Sequence, residues 1–234
     1  VTLMSALAAS PFQLQKTALV TVIAEAGGPV ASLTADDFVV REDRAMRQVV
    51  AAERAAEPIF VTLLVDTVAP PMGVQDGRAG LPQTQDLRRG LTSFVTTIKG
   101  GSPDAQIAVM EYAGAAVTVL DFTSEKTAMD RYIQRLFPNR RADGVVIDAL
   151  VDAGKKLSDK PSPRRAIVSV DFNSRDSSAV RAMNQAAETI RKSVKHPVVV
   201  ELYSPRVATG QQLSDALIEI ANASDGKFLL ARLN

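Results

Sequence analysis

The chain has 234 residues, with 27 Lys and Arg against 26 Asp and Glu, one His, and no Cys or Trp. Its 46% apolar and 23% charged residues are the fractions of a folded globular protein. The absence of Cys excludes disulfides, thiolate zinc sites, iron–sulfur clusters and Cys nucleophiles, and the single His excludes any multi-His metal centre. A formal charge of +1 supplies no general drive toward nucleic acid or acidic lipid.

Val1 to Ser10 is small and apolar and holds Ala-x-Ala at Ala6 to Ala8. It reads as the tail of a secretory signal, or as a frayed start or an extra strand, so residues 1–16 are set apart. Residues 17–56 have a short, strand-like texture. Ala18 to Ile23, Val30 to Leu33, Phe38 to Val40 and Val49-Val50 are strand candidates, with a turn at Gly27-Gly-Pro29. A piece of about 40 residues holds little core of its own, so this β-rich module is expected to lean on a partner sheet or on the larger domain.

Residues 57–234 alternate between strand and helix patterns. Ile59 to Val65 reads as a strand buried on both faces. No stretch approaches the roughly 18 uninterrupted apolar residues of a membrane span. Ala69 to Pro82 reads as a long loop. Leu87, Leu91, Phe94, Val95 and Ile98 then recur at helical spacing, closed by a C-cap and turn at Gly100-Gly101. Gln106 to Tyr112 and Ala116 to Leu120 form a hairpin across Ala113-Gly-Ala. Met129, Ile133 and Leu136 mark a second helix, and Pro138 to Gly144 a loop. Ile147, Leu150, Val151 and Leu157 mark a third helix, and Ala166 to Val170 a strand. Val180, Met183, Ala187, Ile190 and Val194 mark a fourth helix, and Val198 to Tyr203 a strand. Leu213, Leu217 and Ile220 mark a fifth helix, and Lys227 to Leu230 the last strand. This alternation predicts an α/β domain with a doubly wound, mostly parallel sheet, to which the hairpin adds one antiparallel edge strand.

Ligands of such sheets bind beyond the carboxyl ends of the strands. Asp66 and Asp171 each end a strand there, and Asp143 lies in the loop before the third helix. Each acid is explained equally well as a cap or a loop-amide acceptor. Three acids on one rim also point to a hard cation such as Mg²⁺.

The segment Thr21 to Asp43 is similar to a known pattern: a strand, a Gly-x-Pro-Val turn, then Leu-Thr-x-x-Asp-Phe-x-Val-x-Glu-Asp. Leu33, Thr34, Asp37, Phe38, Val40, Glu42 and Asp43 fit it. The strand ending in Asp66, Asp121-Phe-Thr123, Asp148-Ala-Leu150, Arg165 to Asp171, and Ile220-Ala-x-x-Ser-x-Gly226 then follow in the matching order. From about residue 17 onward the chain resembles bacterial von Willebrand factor A-related proteins that carry a small β-rich module in front. The resemblance implies a metal-ion-dependent adhesion site built from Asp-x-Ser-x-Ser, a Thr from a second loop and an Asp from a third. Asp66 matches, but the two Ser positions are Val68 and Pro70. The Thr loop reads Asp143-Gly144-Val-Val. Only Asp66 and Asp171 remain of the five ligands, so the site is expected to be degenerate and no cofactor is expected. If Mg²⁺ is held at all, Asp66, Asp143 and Asp171 are its ligands.

Catalytic motifs do not assemble. Asp66-Thr67-Val68 is neither Asp-x-Asp nor Asp-Thr-Gly, and His196 precedes Pro197 and reads as a loop residue. No phosphate loop, dinucleotide fingerprint or nucleophile elbow is present. Three Tyr and no Trp offer few stacking platforms for bases. Arg88-Arg89, Lys155-Lys156, Arg140-Arg141 and Arg164-Arg165 read as solvated faces. The last two pairs would bind an acidic partner if they met on the rim. The resemblance thus implies a non-catalytic, extracytoplasmic (secreted or periplasmic) module that binds a protein through a rim of Asp66, Thr67, Val68, Asp143, Gly144 and Asp171. Two other readings stay open: a cation-dependent adhesion module with a rearranged site, and a purely structural domain of a larger assembly.

Overall fold

The computed structural model of the chain describes residues 15–20, 22, 30, 32–68, 81–137, 143–170, 178, 183–193, 199–204, 211–223 and 227–230. The chain divides into two compact units, Val1–Ala55 and Ala56–Asn234.

In the first unit Thr34 precedes a single 3₁₀ turn, Ala35–Asp37. The Asp37 carboxylate accepts the Thr34 backbone N–H at 2.7 Å and the Thr34 hydroxyl at 2.9 Å. These bonds hold its carboxyl below the usual carboxylate value. Strands β1 (Val40–Glu42) and β2 (Ala45–Arg47) pair antiparallel across Asp43-Arg44. Both turn residues have positive φ (52° and 68°), as a tight hairpin with right-handed strand twist demands. Glu42 receives Lys16 and, at 3.0 Å, Arg47. The strand expectations are corrected here. The described parts of Ala18 to Ile23 and of Val30 to Leu33, and all of Val49-Val50, are not in strands. Of Phe38 to Val40 only Val40 is. A β-branched run becomes a strand only where a neighbour takes its backbone bonds, and the local pattern does not show that neighbour. None of the described residues of this unit is buried.

The second unit is the predicted α/β domain. Its strands are β3 (Phe60–Val65), β4 (Gln106–Glu111), β5 (Val117–Thr123), β6 (Arg165–Val170), β7 (Val199–Ser204) and β8 (Lys227–Leu230). Its helices are α1 (Leu81–Gly101), α2 (Lys126–Arg135), α3 (Val146–Ser158), α4 (Met183–Ser193) and α5 (Gln211–Ala223). The sheet order is β5-β4-β3-β6-β7-β8, parallel throughout except for β5 against β4. Register shifts against β4 insert two extra residues into β5. Such bulges bend an edge strand and discourage pairing with another chain.

Period-two alternation in the central strands feeds two cores. Val61, Leu63, Val65, Ile107 and Val109 pack with Leu87, Leu91 and Val95 of α1 and Met129 and Ile133 of α2. Leu64, Met110 and Ile167 pack with Leu150, Ala153 and Leu157 of α3, Ile190 of α4 and Leu217 of α5. Each fully buried aliphatic side chain contributes about 1.5–3 kcal/mol. The same alternation places Thr62 and Ser169 on the α3 face, where their hydroxyl oxygens are buried without a partner. Two boundaries differ from expectation. Helix α1 already begins at Leu81, with Pro82 in the first turn, where its missing N–H costs no helical bond. It also runs through Gly101, past the expected cap. Val180 and Val194 lie outside the described residues.

Candidate functional site

Strand β3 delivers Asp66 to the carboxyl-end rim and keeps it buried, 1% exposed. Its N–H extends the β3–β6 ladder to the Val170 carbonyl at 2.9 Å. Its carboxylate Oδ1 accepts the Val68 N–H at 2.8 Å, a side chain closing a turn on its own backbone two residues on. Thr67 is buried beside it, and Val68 is half-buried.

Strand β4 ends on Glu111, and Tyr112 follows it. Tyr112 is fully buried, and its hydroxyl donates to the Val170 carbonyl at 2.9 Å. Its N–H points to the Val65 carbonyl at 3.4 Å, and its carbonyl accepts the Val145 N–H at 3.1 Å. Gly114 turns the chain at φ 78° and donates to the Asp143 carbonyl at 2.7 Å. Ala113 and Gly144 form an antiparallel bridge. These bonds bring Asp143 and Gly144 to the rim, Asp143 exposed and Gly144 buried. Helix α3 then starts at Val146, after Val145 at the N-cap, whose side chain makes no capping bond. The Ser178 hydroxyl oxygen accepts the Asp148 N–H at 3.1 Å instead, meeting one of the helix's unpaired donors.

Asp66, Thr67, Val68, Asp143 and Gly144 therefore share the predicted rim. Asp171 lies outside the described residues, as do Pro70, Arg140, Arg141 and His196. Arg164 and Arg165 do not reach this rim. They open β6 at its amino end, where Arg164 donates to the Glu57 carbonyl at 2.6 Å. Arg165 donates to the carbonyls of Ser158, Lys160 and Ser162. The basic pairs expected to be solvated also carry structure. Arg88 donates to the Leu136 carbonyl at 2.7 Å, and Arg89 pairs with Asp86.

Three rim residues escape a reading of the sequence. Glu111 is a half-buried carboxylate that accepts the Tyr132 hydroxyl at 3.0 Å. Burial pushes its carboxyl above the ordinary value, and the Tyr132 bond opposes that rise. Burial, then the Glu111 charge, pushes the Tyr132 phenol upward. An acid at the end of an apolar strand is the available signal for Glu111. Nothing local marks Tyr112 or Ser178, whose partners lie 58 and 30 residues away.

The described donor set does not fit a hard cation. Val68 and Gly144 carry no side-chain oxygen, and one oxygen of Asp66 already holds Val68. Among the described residues no group of three or more His, Cys, Asp or Glu is placed to hold a metal ion.

No family profile and no curated protein matches the sequence. Solved structures share the fold. An aerotolerance-related membrane protein from Bacteroides fragilis aligns at 17% identity, over 75% of this chain and 92% of that one, with a TM-score of 0.53. The SpRpn10 VWA domain aligns at 14% identity, over 76% and 88%, with a TM-score of 0.54. The PilB minor pilin from Streptococcus sanguinis aligns at 13% identity, over 76% and 59%, with a TM-score of 0.55. The large unit thus has a von Willebrand A-type fold, as the order of its motifs led one to expect.

Proposed function

We propose that the chain is a non-catalytic protein-interaction module of von Willebrand A type, working outside the cytoplasm through its carboxyl-end rim and without a cation. The observation that carries this reading is the rim itself. It combines an exposed Asp143 with a buried Asp66 turned onto its own backbone, and its described positions Val68 and Gly144 offer Mg²⁺ no side-chain oxygen. Recognition then rests on loop shape and ordinary polar contacts. The absence of converging acid, base and nucleophile among the described rim residues supports a binding role over catalysis. Fold neighbours described as a membrane protein and a minor pilin support the extracytoplasmic setting. No helix among the described residues is long and apolar enough to cross a membrane.

Pull-down with the full chain as bait tests this. The expected result is a partner recovered equally with and without EDTA, and lost with Asp143→Arg. Loss of that partner in EDTA overturns the cation-free reading in favour of a rearranged metal site. Full recovery with Asp143→Arg moves the surface off the rim.

A further inference from the structure

We propose that Asp66 and Tyr112 are positioning residues that hold the rim in one shape through protein hydrogen bonds alone, Asp66 through the Val68 N–H and Tyr112 through the Val170 carbonyl. This deepens the functional reading above and rests on it for the importance of the rim. Both side chains are withdrawn from solvent, 1% and 0% exposed, so their polar atoms are satisfied by protein or at a cost. The Asp66 carboxylate meets the Val68 N–H at 2.8 Å, which fixes the chain as it leaves β3. The Tyr112 hydroxyl and the Asp66 N–H converge on one acceptor, the Val170 carbonyl, both at 2.9 Å. The Tyr112 carbonyl takes the Val145 N–H at 3.1 Å, at the start of α3. One buried residue, by its ring hydroxyl and its backbone, thereby joins the ends of β4 and β6 to the loop carrying Asp143 and Gly144. These ties join loop and strand ends directly, by bonds between protein groups. Asp66 acts in this account as a hydrogen-bond acceptor.

The test uses the full chain alone, so it is independent of whether the partner experiment succeeds. Thermal melts compare wild type, Asp66→Ala and Asp66→Asn, each with about 5 mM MgCl₂ or with EDTA. Asp66→Ala is expected to lower the midpoint by about 4 °C, and Asp66→Asn, which keeps the Oδ1 acceptor, by half of that or less. Mg²⁺ and EDTA are expected to leave every midpoint in place. If Asp66→Ala does not fold, Asp66→Asn and the Mg²⁺ series decide. Tyr112→Phe is read by amide hydrogen exchange. The Asp66, Gly114 and Val145 amides are expected to exchange several-fold faster, while Leu63 and Val109 in the core hold their protection. A midpoint raised by Mg²⁺ in wild type but not in Asp66→Asn overturns the proposal. So does an Asp66→Asn variant as damaged as Asp66→Ala, or rim exchange unchanged in Tyr112→Phe.

Discussion

At the amino ends of the central strands the bracing is cationic. Arg165 spreads over three carbonyls that close the α3–β6 turn, Arg164 holds the Glu57 carbonyl, and Lys156 pairs with Asp121. Lys156 and Lys160 also stand 5.4 and 4.5 Å from the centre of the Phe122 ring. At the carboxyl ends of the same strands the described bracing has no Lys or Arg. It consists of backbone bonds, the Tyr112 hydroxyl, the Ser178 hydroxyl and one turned-in carboxylate. Side-chain charge is thus spent inward at one end, to satisfy helix and turn carbonyls. At the other end an acid, Asp143, stands exposed on the rim.

The sharpest way to break this contrast is Arg165→Ala, which strips the donor from three carbonyls. A loss of about 3 kcal/mol is expected, seen as a lower urea midpoint with an unchanged slope. A loss below about 0.5 kcal/mol would reduce the cationic end to surface decoration.

Thr62→Val and Ser169→Ala probe the layer between the two ends. Each hydroxyl oxygen is buried without a partner. Removing it is expected to raise stability by about 1 kcal/mol, measured by urea titration. A fall in stability in either variant would mean that a buried water occupies the α3 face.

Glu111→Gln tests the carboxyl-end side through pH. Burial raises the folded-state carboxyl above its ordinary value of 4.5, so the folded protein binds this proton more tightly than the unfolded chain. The associated stability is fully present below about 4.5 and is lost as pH rises through the raised folded value. Gln keeps an acceptor for Tyr132 and does not titrate. The variant is therefore expected to exceed wild type near neutral pH, by less than about 1 kcal/mol after solvent screening, and to converge with it below pH 4.5. Melting midpoints across that range check the sign, and a neutral-pH loss would contradict it.

The smallest effects belong to exposed charges. Asp121→Asn is expected to change stability by no more than about 0.5 kcal/mol, because the Asp121 side chain is 79% exposed and its pair with Lys156 is screened. Lys160→Ala is expected to cost about 0.5–1 kcal/mol through the Phe122 face. A cost well above that range would show that the aromatic pair Phe60–Phe122, with centroids 5.4 Å apart, depends on the lysine.

Much of this architecture could be read along the chain. The apolar run Ile59 to Val65, the helical spacing of Leu87, Leu91 and Val95, and the break at Gly114 each report a local periodicity, and local periodicity sets which face is buried. The same reasoning placed Asp66 on the rim, because a strand that ends fixes where its next residue goes, and Asp143 and Gly144 there as the loop before the third helix. It failed where pairing decides. Val49-Val50 looks like a strand but is not in one, whereas Arg41 and Glu42, with unremarkable propensity, pair across Asp43-Arg44. It also missed the inward use of charge, since Arg165 looks like any surface arginine until the turn it closes is folded around it.

Composition and residue order alone determined the class of fold, the exclusion of thiolate and multi-histidine chemistry, and the absence of a side-chain oxygen at Val68, Pro70 and Gly144. These are properties of which atoms are present and how they repeat. Tertiary structure alone decided what the remaining polar groups do. It turned Asp66 onto Val68, carried Tyr112 to Val170, and brought Ser178 to the start of α3. The last two of these partners are tens of residues apart, and only burial made each hydrogen bond worth forming.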